Sequence, residues 1–269
     1  LAARIITGIF GGVISSINLA IITDLFKPET RGRVMGYVQM GFAASQILGI
    51  PIGLFLANHW GWHAPFWMIV GIGLLIGVVI FIYMKPVADH LELHAHRDPF
   101  LHLKRTISKP HHLLAFSATT LLATGGFMLM PFSSAFAIHN IGITMQQLPI
   151  VYSVTGIFSF LSGPIIGKLS DQVGRFKIFL IGSVITTIMV YIYTHLGITP
   201  LAWVIVTNIV LFMGILSRGI SSNTLNTMVP EPADRGAFMS INAAVQQISG
   251  GIAASVAGLI VGQHPNGKK

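Results

Sequence analysis

Eight long apolar runs, separated by short polar connections, constrain the fold of this chain more than any other feature of its sequence. Each run approaches the roughly 20 residues that an α-helix needs to cross a bilayer. Only 9% of the 269 residues are Asp, Glu, Lys or Arg, against about 25% in soluble domains. We therefore predict an all-α, polytopic membrane protein. The predicted spans are 1–26, 32–57, 64–84, 113–138, 147–168, 177–195, 200–229 and 236–262.

The connections alternate in charge, and this alternation predicts which side of the membrane each one faces. Those after spans two, four and six contain no Lys or Arg, whereas the others contain twelve. Positive residues collect on the cytoplasmic side, so the basic connections are predicted to be cytoplasmic. The twelve are Lys27, Arg31, Arg33, Lys85, Arg97, Lys104, Arg105, Lys109, Lys168, Arg175, Lys177 and Arg235.

The net charge of +8 would also suit a nucleic-acid-binding protein. However, the basic residues lie at the ends of apolar runs and form no continuous stripe, so we predict a lipid bilayer as the partner and no nucleic acid. The longest connection, 85–112, contains His90 and His94 at a spacing that could hold a metal. A polar linker is the reading that we favour, because no further ligand pattern supports a site. We predict no metal and no cofactor.

The pattern P-x-x-R-G-x-x-M occurs twice, 204 residues apart, each time after a long span on the predicted cytoplasmic side. Its shared position predicts an internal duplication. The residues of the two turns are Pro28, Arg31 and Gly32, and Pro232, Arg235 and Gly236.

If connection 85–112 joins two halves, the repeat predicts six helices in each half, with three before Leu1 and one after Lys269. The predicted domains are 1–84 (helices 4–6 of the first half), 85–112 (the loop between the halves) and 113–269 (helices 7–11).

The stretch GKLSDQVGR resembles the loop signature G-x-L-x-D-x-x-G-R of the major facilitator superfamily. It lies between the second and third helices of the predicted second half, where that family has its second copy. The resemblance covers the whole chain as family helices 4–11, and it implies two six-helix halves that work by alternating access. The matching residues, Gly167, Leu169, Asp171, Gly174 and Arg175, are then expected to hold the halves together in the outward-open state. The alternative is an ordinary turn with positive-inside anchors.

Two arginines are predicted within apolar spans, where a charge is costly and by default functional. Arg4, followed four residues later by Gly8, is similar to the family's fourth-helix motif, which is linked to proton coupling in exporters; an interfacial arginine is the alternative. Arg218 lies twelve residues before Pro230, or about 18 Å along a helix. It is expected to contact substrate or serve coupling, and a structural ion pair is the alternative.

Two further sets of residues complete the predicted site. The segment Gly49, Pro51 and Gly53 resembles the glycine–proline signature of family antiporters in the variant form of the sugar and arabinose efflux-like branch. A role in coupling and a simple packing kink both remain open. Cavity contacts are predicted for Thr124, Tyr152, Asn208 and Gln246, with plain interhelical hydrogen bonding as the alternative.

The resemblance implies a secondary active transporter, a monomer of the bacterial plasma membrane that exports a small-molecule substrate in exchange for protons. All eight acidic residues lie at or beyond cytoplasmic ends of spans, so a coupling carboxylate is expected on helices that precede Leu1. An importer of a sugar or metabolite and a non-transporting sensor are the alternatives. We predict no enzyme, because the sequence has no H-E-x-x-H motif, intramembrane acidic pair or nucleotide-binding loop.

Overall fold

The computed structural model describes residues 2–83, 99–231 and 234–261, and every regular element in those ranges is helical. The α-helices are α1 (Ala2–Leu25), α2 (Arg31–Ala44), α3 (Ile50–Trp60), α4 (Ala64–Tyr83), α5 (Pro99–Ser108), α6 (Pro110–Leu129), α7 (Ser133–His139), α8 (Leu148–Val173), α9 (Arg175–Thr194), α10 (Leu201–Asn226) and α11 (Arg235–Ile260). His90 and His94, the possible metal ligands, lie outside the described residues.

Six helical segments among the described residues are long and apolar enough to cross a membrane: α4, α6 with α7, and α8 to α11. The chain is therefore a multi-pass membrane protein. Helix α1 and the rod formed by α2 and α3 lie where the first two spans are predicted. The count of eight spans stays a prediction.

Prolines mark the irregular turns within two of the helical rods. A π-helical turn, Ser45–Gly49, precedes Pro51 between α2 and α3, and a 3₁₀ turn, Met130–Phe132, contains Pro131 between α6 and α7. Proline lacks an N–H group and its ring clashes with the preceding turn, so it favours such adjustments. Pro164, by contrast, lies inside an unbroken α8.

Helices α6 and α8 to α11 form the main bundle, in which α10 packs on both α8 and α9, and α11 packs on α6. Helix α2 lies along α8 and also contacts α10, and α1 lies along α11. A buried apolar cluster joins α1 and α2 to α8, α9 and α10: Ile22, Met35, Ile166, Ile178, Leu216 and Ile220. Helix α4, which contains no buried residue, packs mainly on α3.

Candidate functional site

Helices α2 and α8 approach each other closely because glycines face glycines at their crossing. A Cβ atom on Gly36 would lie 2.5 Å from the carbonyl oxygen of Gly163, and one on Gly32 would lie 2.8 Å from that of Gly167. Any larger side chain at these positions would push the two backbones apart. Small residues at such intervals are the usual means by which membrane helices come into backbone contact.

At the end of this crossing, the carboxylate of Asp171 on α8 accepts two backbone hydrogen bonds from the first turn of α2. The amide of Gly32 donates to Oδ1 at 3.0 Å, and the amide of Arg33 donates to Oδ2 at 2.8 Å. These amides have no partner within their own helix, and the helix dipole favours a negative charge there. Asp171 therefore caps α2 from a different helix.

Arg175 completes this arrangement from the first residue of α9. Its Nη2 lies 3.3 Å from Asp171 Oδ1 and also donates to the carbonyl of Pro28, while Nη1 contacts the sulfur of Met228. Gly174, between α8 and α9, has φ +114°, a conformation that side chains rarely adopt, so a glycine suits this turn. We call Gly32, Arg33, Asp171 and Arg175 the α2–α8 clasp, and the end of the bundle where they lie the clasp end.

The arginines of the two repeated turns also lie at the clasp end, and each reaches across to the other side of the bundle. Arg31 is buried and donates three hydrogen bonds, to the carbonyls of Phe26, Thr23 and Thr227. Arg235, at the start of α11, donates through Nη1 to Asp24 Oδ1 on α1 at 3.1 Å. The pair of turns therefore joins α1 and α2 to the ends of α10 and α11.

A second ionic group ties the segment before α6 to the segment before α11. Lys109 Nζ lies 2.5 Å from Asp234 Oδ2 and 3.3 Å from Glu231 Oε2. Burial alone would raise the pKa of the Asp234 carboxyl, but the hydrogen bond from Lys109 and its charge outweigh burial and hold that pKa below its usual range. The hydrogen bond to Asp234 likewise raises the pKa of Lys109 despite partial burial.

Away from the clasp end, α3 separates from the rest of the described bundle. Among the described residues, Cβ atoms on Gly41 and Gly53 would meet no atom within 4 Å outside their own helix, in contrast to Gly32 and Gly36. The rod thus contacts α8 along α2 and through the π-helical turn Ser45–Gly49, whereas the main contacts of α3 among the described helices are with α4.

A cavity of about 330 Å³ lies above the clasp end, between α2 on one side and α6 and α8 to α11 on the other. Near the clasp end its wall is polar, and farther away it is largely apolar. The polar residues toward the clasp end are Gln39, Thr119, Arg218, Ser222, Asn223, Asn226 and Gln246, and Ser133, Thr186 and Asn208 also line the cavity. The apolar ones are Phe42, Phe127, Met130, Leu211, Phe212 and Ile215. Tyr152 and Tyr193 line the far end.

Helix α10 supplies much of this wall from one face. Arg218, Ser222 and Asn226 follow each other at intervals of four residues, which places them on one side of a helix. Because α10 ends at Asn226, Arg218 lies eight residues from the helix end, or about 12 Å, nearer that end than predicted from its distance to Pro230. Asn226 donates to Thr119 at 3.2 Å, and Thr119 donates to the buried Asn242 at 2.7 Å, so Asn226 and Thr119 line this end of the cavity with Asn242 behind them.

The structure brings some of the predicted site residues together and leaves others apart. Tyr152, Asn208, Arg218 and Gln246 line the cavity, and Thr124 does not. Leu169, next to the clasp in sequence, is exposed, as are Gly8 and Gly49, and a Cβ atom on Gly236 would meet no atom of the described residues within 4 Å. The side chains of Arg4 and Pro51, and Pro232 altogether, lie outside the described part, so their predicted roles stay predictions.

Several cavity residues were not predicted from the sequence: Gln39, Thr119, Tyr193, Ser222, Asn223 and Asn226. The four-residue spacing from Arg218 to Asn226 was the available signal, since it gives the arginine two polar neighbours on its own helix face. Among the described residues, no group of three His, Asp or Glu side chains could hold a metal ion.

Comparison with known proteins agrees with this architecture. The family model of the Major Facilitator Superfamily matches residues 1–254. The chain is 26% identical over 271 residues to the uncharacterized MFS-type transporter YbcL of Bacillus subtilis (strain 168), covering 97% of this chain and 65% of that protein. It is 29% identical over 203 residues to the multidrug resistance protein MdtG of Serratia proteamaculans (strain 568), and this match covers 70% of this chain and 46% of that protein.

The chain thus spans about half to two thirds of the length of these relatives. The family model nevertheless extends over nearly all of the chain, and the resemblance predicted from the GKLSDQVGR stretch is confirmed. This chain belongs to the major facilitator superfamily.

Proposed function

We propose that this chain forms the central and carboxy-terminal part of a secondary transporter that moves a small solute by alternating access. Residues 1–84 would belong to one half and 113–269 to the other, with 85–112 between them and eight spans in all. The observation that carries the proposal is the cavity between α2 and α6–α11, which the α2–α8 clasp closes at one end. A site enclosed at one end by a breakable contact is what alternating access requires.

The chemistry of the clasp suits a contact that forms and breaks. It consists of hydrogen bonds and one ion pair around Asp171, all at the edge of the bundle, where water can replace the lost partners. The glycines beneath it allow close approach without interlocking side chains. If the positive-inside orientation holds, the clasp is cytoplasmic and the described state is open to the outside.

We further propose that transport is proton-coupled efflux across a bacterial inner membrane. Two observations support this direction: relatives named for multidrug resistance, and the spacing of Arg4 and Gly8 in the first span. Arg218 would contact the substrate, and Gly49, Pro51 and Gly53 would allow the α2–α3 rod to bend as the clasp opens.

The test is a flux measurement on the gene product that carries this chain, reconstituted into vesicles with an imposed pH gradient and a trapped pH indicator. Substrate-dependent proton movement opposite to the substrate supports efflux, and movement in the same direction would support import. Arg218→Ala should abolish the flux, whereas Arg105→Ala, a cation on α5 outside the cavity, should leave it unchanged. No flux with any member of a broad panel of cationic, neutral and anionic compounds would contradict the proposal and favour a sensor.

A further inference from the structure

We propose that the cavity binds an amphipathic organic anion, with the anionic group at Arg218 and an apolar body directed away from the clasp end. This inference rests on the proposed function and names its substrate class. It starts from the electrostatics of the cavity. Arg218 is a cation within a helix that is long and apolar enough to cross the membrane. Such a cation is normally paired, because a charge removed from water without a partner is costly.

Among the described residues, Arg218 has no hydrogen-bond or ion-pair partner. Its guanidinium borders the cavity, and no Asp or Glu is found in the described lining. The cavity therefore has a net positive charge, with five N–H donors of one side chain in a fixed planar arrangement. This geometry suits a carboxylate, sulfonate or phosphonate, which can accept two parallel hydrogen bonds.

The neighbours of Arg218 would complete such an anion site. Ser222 lies one turn farther along α10, and Asn223 and Gln39 add amide groups to the same part of the wall. In the described part of the chain these three side chains have no hydrogen-bond partner of their own, unlike Asn226, which is bonded to Thr119. Hydroxyl and amide donors next to a guanidinium can satisfy the oxygen atoms that the arginine leaves unbonded.

The apolar wall defines the other end of the ligand. Leu211, Phe212 and Ile215 precede Arg218 on α10 and line the cavity together with Phe127 on α6 and Met130 in the 3₁₀ turn that follows α6. At about 330 Å³ the cavity is near the lower limit for sites of drug-sized ligands, which are mostly apolar with a few fixed polar groups. Because most of the lining surface is apolar, a compact aromatic or branched aliphatic acid fits this arrangement better than a sugar.

The competing arrangement is an ion pair between Arg218 and a carboxylate of the protein outside the described residues. An acid of that kind would neutralise the site and leave no preference for anions. The two arrangements differ in their response to ligand charge, so a matched series of ligands separates them.

The experiment uses 2-naphthoate, its neutral amide and 2-naphthylmethylammonium, which share one apolar body and differ in charge. Equilibrium dialysis measures the binding of each to the purified gene product that carries this chain. We expect naphthoate to bind at least tenfold more tightly than the other two. Arg218→Ala should weaken the binding of naphthoate by about tenfold to a hundredfold, and Arg218→Lys should weaken it less. Arg105→Ala should leave the binding unchanged. The neutral amide should bind equally to the parent protein and to Arg218→Ala.

Equal or tighter binding of the amide or the ammonium compound, or naphthoate binding that survives Arg218→Ala, would overturn the inference. Intrinsic tryptophan fluorescence on heating checks that each variant is folded, since the chain has four tryptophans. The result is separable from that of the flux assay. Binding at Arg218 without flux would contradict the transport proposal alone, whereas flux of cations or neutral compounds that survives Arg218→Ala would contradict the anion site alone.

Discussion

The two turns that share the pattern P-x-x-R-G-x-x-M use their arginines alike and their glycines differently. Arg31 and Arg235 both reach across the bundle, to the end of α10 and to α1 respectively. Gly32, however, faces the backbone of α8 and is capped by Asp171, whereas a Cβ on Gly236 would meet no atom within 4 Å in the described part of the chain. The arginine thus joins the two sides at both turns, and the glycine matters only where another helix crosses it.

The largest expected effect comes from adding one methyl group at each glycine. In Gly32→Ala the new Cβ would lie 2.8 Å from the Gly167 carbonyl oxygen, which cannot move without separating the helices. Because the clash is with a backbone atom, we expect a loss at the upper end of the usual overpacking range, about 3 kcal/mol in stability. Gly236→Ala should be neutral, or stabilising by up to about 1 kcal/mol, because alanine favours helix. Thermal unfolding of both variants checks the difference, and equal destabilisation would contradict the assigned crossing.

The next comparison replaces a carboxylate by an amide in one acid near each turn: Asp171, which caps α2 from α8, and Asp234, which precedes Arg235. Asp171→Asn removes an acceptor from the first turn of α2, and we expect the clasp to weaken by about 1.5–3 kcal/mol. A cysteine at the buried Met35, beneath the clasp, should then react with a maleimide at least about tenfold faster. Asp234→Asn should leave this rate unchanged, because its partner Lys109 lies on the segment before α6 and not on α2. Equal acceleration in both variants would remove the distinction between the two acids.

Lysine substitutions test the shared role of the arginines. Arg31 serves three carbonyl groups, and lysine cannot reach them in the same planar arrangement, so Arg31→Lys should cost about 1–3 kcal/mol. Arg235→Lys keeps a charge near Asp24 at the surface and should cost less than about 1 kcal/mol. Denaturation in detergent measures both. A larger loss of stability in Arg235→Lys than in Arg31→Lys would contradict this prediction and assign the main connection between the two sides of the bundle to the turn that contains Arg235.

The smallest effect concerns the pH dependence of the Lys109–Asp234 pair. The pKa of Asp234 is lowered in the folded protein, so its stabilising contribution is present above about pH 4 and is lost as pH falls through the folded value. The pKa of Lys109 is raised, so its contribution is present below about pH 10 and is lost above the folded value. Between these limits Lys109→Met should reduce the free energy of unfolding by about 1 kcal/mol or less, which is measured as a slightly lower melting temperature. A deficit that stayed constant below pH 4 would contradict the assignment.

The sequence predicted the positions of helices better than the faces that they present. The predicted span 64–84 corresponds to α4, Ala64–Tyr83, and 177–195 to α9, Arg175–Thr194, because apolar length is a property of the sequence alone. The span 200–229 ends earlier, at Asn226. Helix α5 was not predicted within the connection 85–112, since its short amphipathic stretch resembles a polar linker.

The cavity shows where prediction from residue type fails. Thr124 was chosen as a polar residue in a cavity-lining helix, but it does not line the cavity, whereas Thr119, five residues earlier, does. In a membrane helix, hydroxyl groups can bond to the carbonyl four residues before, as Thr207 outside the cavity donates to Trp203, so polarity alone does not indicate the cavity face. Gln39 was missed because it belongs to α2, and only the crossing with α8 brings that helix to the site.

Distances at both ends of the α2–α3 rod test the central claim most directly. The sequence contains no cysteine, so spin labels can be placed at Arg33 and Lys168 near the clasp, and at His59 and Ile150 toward the opposite end. Double electron–electron resonance should give a short distance for the first pair of labels and a long distance for the second pair. Asp171→Asn should lengthen the first distance and shorten the second, as alternating access requires. Two distances that stay fixed, or that lengthen together, would contradict the account.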